Sequence, residues 1–167
     1  MHLQPQEVSK RSKQAFAAKD NWRTIYEECY QYALPQRNLY DGYYEGNVPG
    51  QNKMSRVFDS TAIHSVQRFA NRIQSGLFPP YKKWCRLEPG NDIPEERRGE
   101  VQQALDLYLD KLFSVLRQSN FDLAIGEFLL DLSVGTAAML IQTGDDLNPI
   151  SYTPVPQYLI AIEEGPN

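Results

Sequence analysis

The chain has 167 residues and a formal net charge of −4, with 41% hydrophobic and 23% charged residues. This length and composition fit a globular domain that buries a core without disulfide or metal staples. They argue against a disulfide or zinc scaffold, because the two cysteines, Cys29 and Cys85, lie in no CxxC or Cys/His pattern. No apolar run approaches the roughly 20 residues of a membrane span, and residues 1–13 are too polar for a signal peptide.

The first predicted helix covers residues 7–34 and ends there because Pro35 disfavours helical backbone in the residue before it. Residues 35–57 follow as a long loop without periodicity. The loop carries three tyrosines, Tyr40, Tyr43 and Tyr44, between glycines and a proline. Long loops of this kind are often functional, so we expect these aromatic rings to dock on the same chain or on a neighbouring copy.

The second predicted helix begins after Asp59, a favourable N-cap residue, and runs to about Gly76. Phe58 and Ile63 have the spacing of a hydrophobic staple. Its apolar stripe predicts burial of Ala62, Val66, Phe69, Ala70, Ile73 and Leu77.

The second half of the chain predicts two further helices and a small antiparallel sheet. The third helix begins at Pro94 and carries an apolar face that includes Tyr108, Leu109 and Leu112, and the fourth helix ends at Gly135. Strands are predicted at residues 84–87, 137–143, 150–155 and 158–163. The predicted fold class is therefore α+β, with about four helices.

Charge is distributed unevenly along the chain. Residues 1–86 hold 13 Lys/Arg and 7 Asp/Glu, whereas residues 87–167 hold 4 and 14. Such asymmetry marks a nucleic-acid surface or complementary faces on neighbouring copies of one protein. The candidate residues for a subunit interface or a DNA-facing surface, besides the loop tyrosines, are Arg68, Arg72, Lys82 and Lys83. We favour ion pairs from this basic group to the acidic half of a neighbouring copy.

The residues that carry chemistry form no recognisable catalytic set. His2 and His64 are the only histidines, and the sequence has no nucleophile elbow, P-loop or GxGxxG motif. Asp145 and Asp146 fit a hairpin turn better than a metal site, because Asp favours turns for backbone reasons. We expect no enzyme and no cofactor or metal.

A series of short motifs stands in a characteristic order. They are YALPQR (32–37), FDSTA (58–62), SGLFPP (75–80), SNF (119–121), DLSVGTAA (131–138) and PVPQYLIAI (154–162). From about residue 30 to its end, the chain resembles the podovirus-type phage portal family, the head-to-tail connecting proteins of short-tailed phages.

The resemblance implies the wing-like, N-terminal portion of a portal subunit, without the later stem, clip and crown regions. Portal subunits form a ring, dodecameric in the mature particle, at one capsid vertex. The ring passes double-stranded DNA during packaging and ejection, and works with capsid and scaffolding proteins, terminase and the tail adaptor. The resemblance implies no catalysis and no membrane, and it places the protein in the virion after assembly in the host cytoplasm. We expect the natural protein to continue past residue 167, because the chain stops as a new turn begins.

Two other functions fit parts of the sequence. A nucleic-acid-binding module would use the basic first half and show salt-sensitive affinity for free DNA. A small hydrolase would use Asp145, Asp146 or Glu163 with a divalent ion. The ordered motif series favours the portal interpretation over both.

Overall fold

The computed structural model describes residues 4–37, 57–145 and 148–163. The predicted loop tyrosines, Tyr40, Tyr43 and Tyr44, therefore lie outside the described residues. Within these ranges the fold is α+β, with five α-helices and one two-stranded antiparallel sheet. The elements are α1 (Pro5–Asp20), α2 (Arg23–Ala33), α3 (Thr61–Leu77), α4 (Glu95–Gln118), α5 (Phe121–Val134), β1 (Ala138–Thr143) and β2 (Ile150–Val155). Short 3₁₀ turns cover Pro35–Arg37 and Gln157–Leu159. None of the described helices combines the length and apolarity needed to cross a membrane.

The predicted first helix is two helices, so the continuous 7–34 prediction is wrong. The chain turns at Asn21 and Trp22, where Trp22 has a φ of −98° and a ψ of 0°. Asp and Asn are weak helix formers because their side chains compete for backbone hydrogen bonds, which explains a break after Asp20. The end of α2 before Pro35 is as predicted.

The start of α3 is held by the carboxylate of Asp59. Its Oδ1 accepts hydrogen bonds from the backbone N–H of Thr61 at 3.0 Å and from the Thr61 hydroxyl at 2.8 Å. These bonds lower the pKa of Asp59. The predicted staple is wrong, because the Phe58 side chain is 98% exposed. The predicted stripe is only partly buried, since Ala70 is covered while Phe69 and Leu77 are exposed.

The sheet is a hairpin of β1 and β2, closed where Gly144 N–H donates to the Pro149 carbonyl at 2.9 Å. A side chain at Gly144 would collide with the carbonyl oxygen of Asn148, so the turn requires glycine there. The strands predicted at 84–87 and 158–163 are absent from the described fold. In the second of these, Pro156 lacks an N–H for strand pairing, and the chain turns into the 3₁₀ segment Gln157–Leu159 instead.

The chain divides into two compact units. Unit 1 comprises Met1–Phe69, Leu130–Ala138 and Val155–Asn167, and unit 2 comprises Ala70–Leu129 and Met139–Pro154. The buried residues of unit 1 are Tyr30, Leu34, Pro35, Asp131 and Gln157. The buried residues of unit 2 are Ala70, Leu109, Phe113, Ala124, Ile125, Leu129 and Tyr152.

Candidate interaction site

Five aromatic side chains pack together in unit 2. They are Phe78, Trp84, Phe113, Phe121 and Tyr152. Edge-to-face pairs join Phe78 to Trp84 (5.1 Å between ring centroids), Trp84 to Phe113 (5.4 Å) and Phe121 to Tyr152 (5.1 Å). Each such pair contributes about 0.5–1.5 kcal/mol beyond the burial of its surface. Within unit 2 the cluster therefore ties α4 to the start of α5 and to β2.

The segment 81–88 lies along α4 in the antiparallel direction. The Arg117 guanidinium donates to the Tyr81 carbonyl at 3.2 Å, and the Gln102 amide donates to the Leu87 carbonyl at 3.1 Å. The segment thus starts beside the end of α4 and finishes near its beginning. The strand predicted at 84–87 is wrong: no strand forms there, and the Leu87 carbonyl is bound by a side chain of α4 and not by a neighbouring strand.

Tyr81 has an unusual backbone at the head of this segment. Its φ is 67°, and among the described residues it is the one non-glycine residue with positive φ. This left-handed conformation costs an L-residue roughly 1–2 kcal/mol. The Tyr81 side chain is 86% exposed. Unit 2 therefore holds the Tyr81 backbone in place while the ring projects into solvent.

The two ends of α4 carry opposite charge. At its start, four exposed acidic residues outnumber two arginines, Arg97 and Arg98. The acidic residues are Asp92, Glu95, Glu96 and Glu100. At its end lie Arg117 and, next to Tyr81, the exposed Lys82. A helix of 24 residues is about 36 Å long. The acidic and basic ends therefore lie far apart on one rigid element.

All four cations predicted from sequence are exposed. Arg68 lies in unit 1, and Arg72, Lys82 and Lys83 lie in unit 2. Lys83 already forms an ion pair with Asp110 of α4. Within residues 4–37, 57–145 and 148–163, the other three have no ion-pair partner.

Unit 1 contains a buried carboxylate that the sequence analysis did not identify. Asp131 is 2% exposed and accepts a hydrogen bond from the Tyr30 hydroxyl at 3.0 Å. Arg37 donates hydrogen bonds to the same carboxylate from Nη2 at 2.9 Å and from Nε at 3.3 Å. The sequence carries one sign of this buried ion pair. Asp131 is the single charged residue in the apolar run FLLDLSV (128–134), and a buried charge requires a partner.

A cleft of about 490 Å³ in unit 1 is lined by Trp22, Tyr26 and Thr136 and has Lys19 in its wall. The Lys19 ammonium donates to the Gln157 carbonyl and, at 2.6 Å, to the Ile160 carbonyl. Burial lowers the pKa of Lys19. This lysine therefore fixes the chain after β2 within unit 1.

The acidic residues weighed for metal chemistry make local contacts. Asp145 accepts a hydrogen bond from the Asn148 N–H at 2.6 Å, a turn role, and Glu163 pairs with Arg11 at 2.9 Å. In the part of the chain that the structure describes, no three His, Cys, Asp or Glu side chains are grouped to hold a metal ion. Asp146 lies outside that part.

Comparison with protein-family models gives a match over most of the chain. The model described as bacteriophage head to tail connecting protein covers residues 5–167. This range is wider than the resemblance seen in the motifs, which begins near residue 30. Comparison with curated proteins gives no match.

Proposed function

The chain belongs to the bacteriophage head to tail connecting protein family, and we propose that it is a structural subunit of the ring that joins phage head and tail. The family is structural, and its members are components of the virion that assemble with other head and tail proteins. The match over residues 5–167 is the observation that carries the proposal.

The ring, in this proposal, occupies one capsid vertex and is the conduit for double-stranded DNA during packaging and ejection. It contacts capsid and scaffolding proteins, and it docks terminase and later the tail adaptor. The motif series from YALPQR to PVPQYLIAI supports this finer function. The charge asymmetry of the sequence supports the ring itself, because ring closure uses two different faces of each copy.

Arg68 and Arg72 are proposed to pair with acidic residues of a neighbouring copy. Both are exposed and four positions apart on α3, so they lie on the same side of that helix. Reversing the charge in Arg72→Glu is expected to weaken assembly and leave the unfolding temperature unchanged. Assembly that is unaffected by Arg72→Glu would contradict this role.

The segment 35–57 is proposed to bridge copies through Tyr40, Tyr43 and Tyr44. Deleting residues 40–50 is then expected to weaken ring formation more than folding. Equal damage to both would show that the segment serves its own chain.

The decisive measurement is the oligomeric mass of the protein at its full natural length, by light scattering, together with electron microscopy of the particles. Closed rings would support the proposed function. Monomers that bind free DNA tightly, with affinity falling steeply as salt rises, would overturn it. The protein would then be a nucleic-acid-binding module, and the exposed Arg68 and Arg72 would be its first candidate phosphate ligands.

A further inference from the structure

We propose that Tyr81 and Lys82 form the contact by which one copy binds the acidic start of α4 on the next copy. The inference rests on the proposed ring function and names the surface that one of its interfaces uses. The contact is heterologous, because the two surfaces lie at opposite ends of α4 in each copy.

The backbone conformation of Tyr81 does not suit a residue that has a side chain. Glycine fits a φ of 67° without the steric cost that any Cβ brings. Within the described residues, the Tyr81 ring makes no aromatic contact and its hydroxyl makes no hydrogen bond, and the side chain is 86% exposed. Among the described residues, therefore, no aromatic contact or hydrogen bond of this side chain offsets the backbone cost. A contact outside the subunit accounts for a tyrosine at this position.

The backbone that carries the Tyr81 ring is fixed. Arg117 binds the Tyr81 carbonyl, and the Lys82 N–H donates to the Pro79 carbonyl at 3.3 Å. Because Pro79 and Pro80 have restricted φ, the turn that carries Tyr81 loses little conformational freedom on binding. A rigid exposed tyrosine is a common anchor of protein interfaces, since it presents a large surface with few rotatable bonds.

The charges at the two ends of α4 identify the partner. Lys82 and Arg117 make the Tyr81 end of α4 basic. At the other end, Asp92, Glu95, Glu96 and Glu100 outnumber Arg97 and Arg98, which leaves that end with a net negative charge. These ends are about 36 Å apart along one helix, so they cannot neutralise each other within a copy. A second copy that follows head to tail brings them together, and repetition of that contact generates a ring or a filament.

Double-stranded DNA fits this surface less well than a second copy. Lys83 is held by Asp110, which leaves Lys82 as the one uncompensated lysine of the turn. A duplex ligand would need several cations along the same surface.

The test uses the protein at its full natural length. Tyr81→Gly is expected to raise the unfolding temperature, because glycine relieves the left-handed backbone, and to raise the concentration at which rings dissociate by about tenfold or more. Tyr81→Phe keeps the ring surface and is expected to assemble nearly as well as the wild type. The matched control is Tyr32→Ala, at another exposed tyrosine in a regular helix, which is expected to leave assembly unchanged.

A charge exchange tests the partner. Lys82→Glu alone and the double change Glu95→Lys with Glu96→Lys are each expected to weaken assembly. Combining all three changes is expected to recover most of the lost assembly, because opposite charges face each other again. Recovery would support the head-to-tail contact, and additive loss would overturn it.

The outcomes separate this inference from the proposed function. If wild-type rings form and Tyr81→Gly rings are equally stable, the inference is wrong and the proposed function stands. If the Tyr81 and Lys82 variants form normal rings but lose salt-dependent DNA affinity, the surface binds nucleic acid and the inference is likewise overturned. If the wild type forms no oligomer, the proposed function is wrong, and the inference that rests on it is wrong as well.

Discussion

Two nitrogens of the Arg37 guanidinium lie 2.9 Å and 3.3 Å from the carboxylate of Asp131, a residue 94 positions away in the sequence. The Tyr30 hydroxyl binds the same carboxylate. These hydrogen bonds are charge-assisted, and their acceptor, Asp131, is buried. Within unit 1 they attach the segment that follows α2 to the last turn of α5.

Asp131→Ala is expected to lower the free energy of unfolding by about 3 kcal/mol. This value is at the lower end of the range for a broken buried ion pair, because Arg37 retains some access to water. Urea denaturation measures this loss. Glu88→Gln is the matched control, since Glu88 pairs with Arg86 in a highly exposed geometry and such pairs contribute about 0–1 kcal/mol. Similar losses in the two variants would contradict a structural role for Asp131.

Asn120 pairs with the backbone of Tyr152 in both directions. Its Nδ2 donates to the Tyr152 carbonyl at 2.7 Å, and its Oδ1 accepts from the Tyr152 N–H at 2.9 Å. Asn120→Asp removes the donor and sets a carboxylate against the carbonyl, so we expect a loss of about 1–3 kcal/mol. Amide hydrogen exchange at Tyr152 is expected to accelerate. Gln103→Glu, the same chemical change at an exposed position of α4, should leave that exchange rate unaltered.

Gly135 and Gly76 are expected to respond to alanine in opposite directions. A Cβ at Gly135 would lie 2.9 Å from Cε1 of Tyr26 and 3.1 Å from the Gln157 side-chain nitrogen, whereas a Cβ at Gly76 meets nothing within 4 Å. Gly135→Ala should therefore cost about 1–3 kcal/mol through overpacking. Gly76→Ala should add up to about 1 kcal/mol, because Gly76 lies inside α3. Thermal unfolding of both variants checks the difference, and a shift of the same sign would refute it.

Lys19 predicts a specific dependence of stability on pH. Burial holds its folded-state pKa below the ordinary value of 10.5. Between these two values the unfolded chain binds more protons, so the free energy of unfolding should rise with pH in that interval. Lys19→Arg remains charged throughout and should lack this component. Urea titrations of both proteins across the interval measure it, and parallel pH profiles would show that burial does not perturb Lys19.

Local rules were enough to predict much of the secondary structure. Pro35 ends α2, Asp59 caps the start of α3, Gly135 follows α5, and Gly144 with Asp145 forms the hairpin turn. Each of these depends on the backbone preferences of one or two residues, which the sequence states directly. The α+β class and the connector family follow at the same level, from periodicity and from the order of the motifs.

The tertiary structure decided which of those elements are covered and which side chains meet. The apolar face predicted for α4 contains Leu109, which is 4% exposed, and Tyr108, which is 66% exposed. Periodicity cannot separate the two, because exposure depends on elements distant in sequence. For the same reason, the pairing of Asp131 with Arg37 and the docking of segment 81–88 on α4 could not be predicted from the sequence. The exposed, left-handed Tyr81 has no local sequence signature, because its backbone is held by Arg117, 36 residues away.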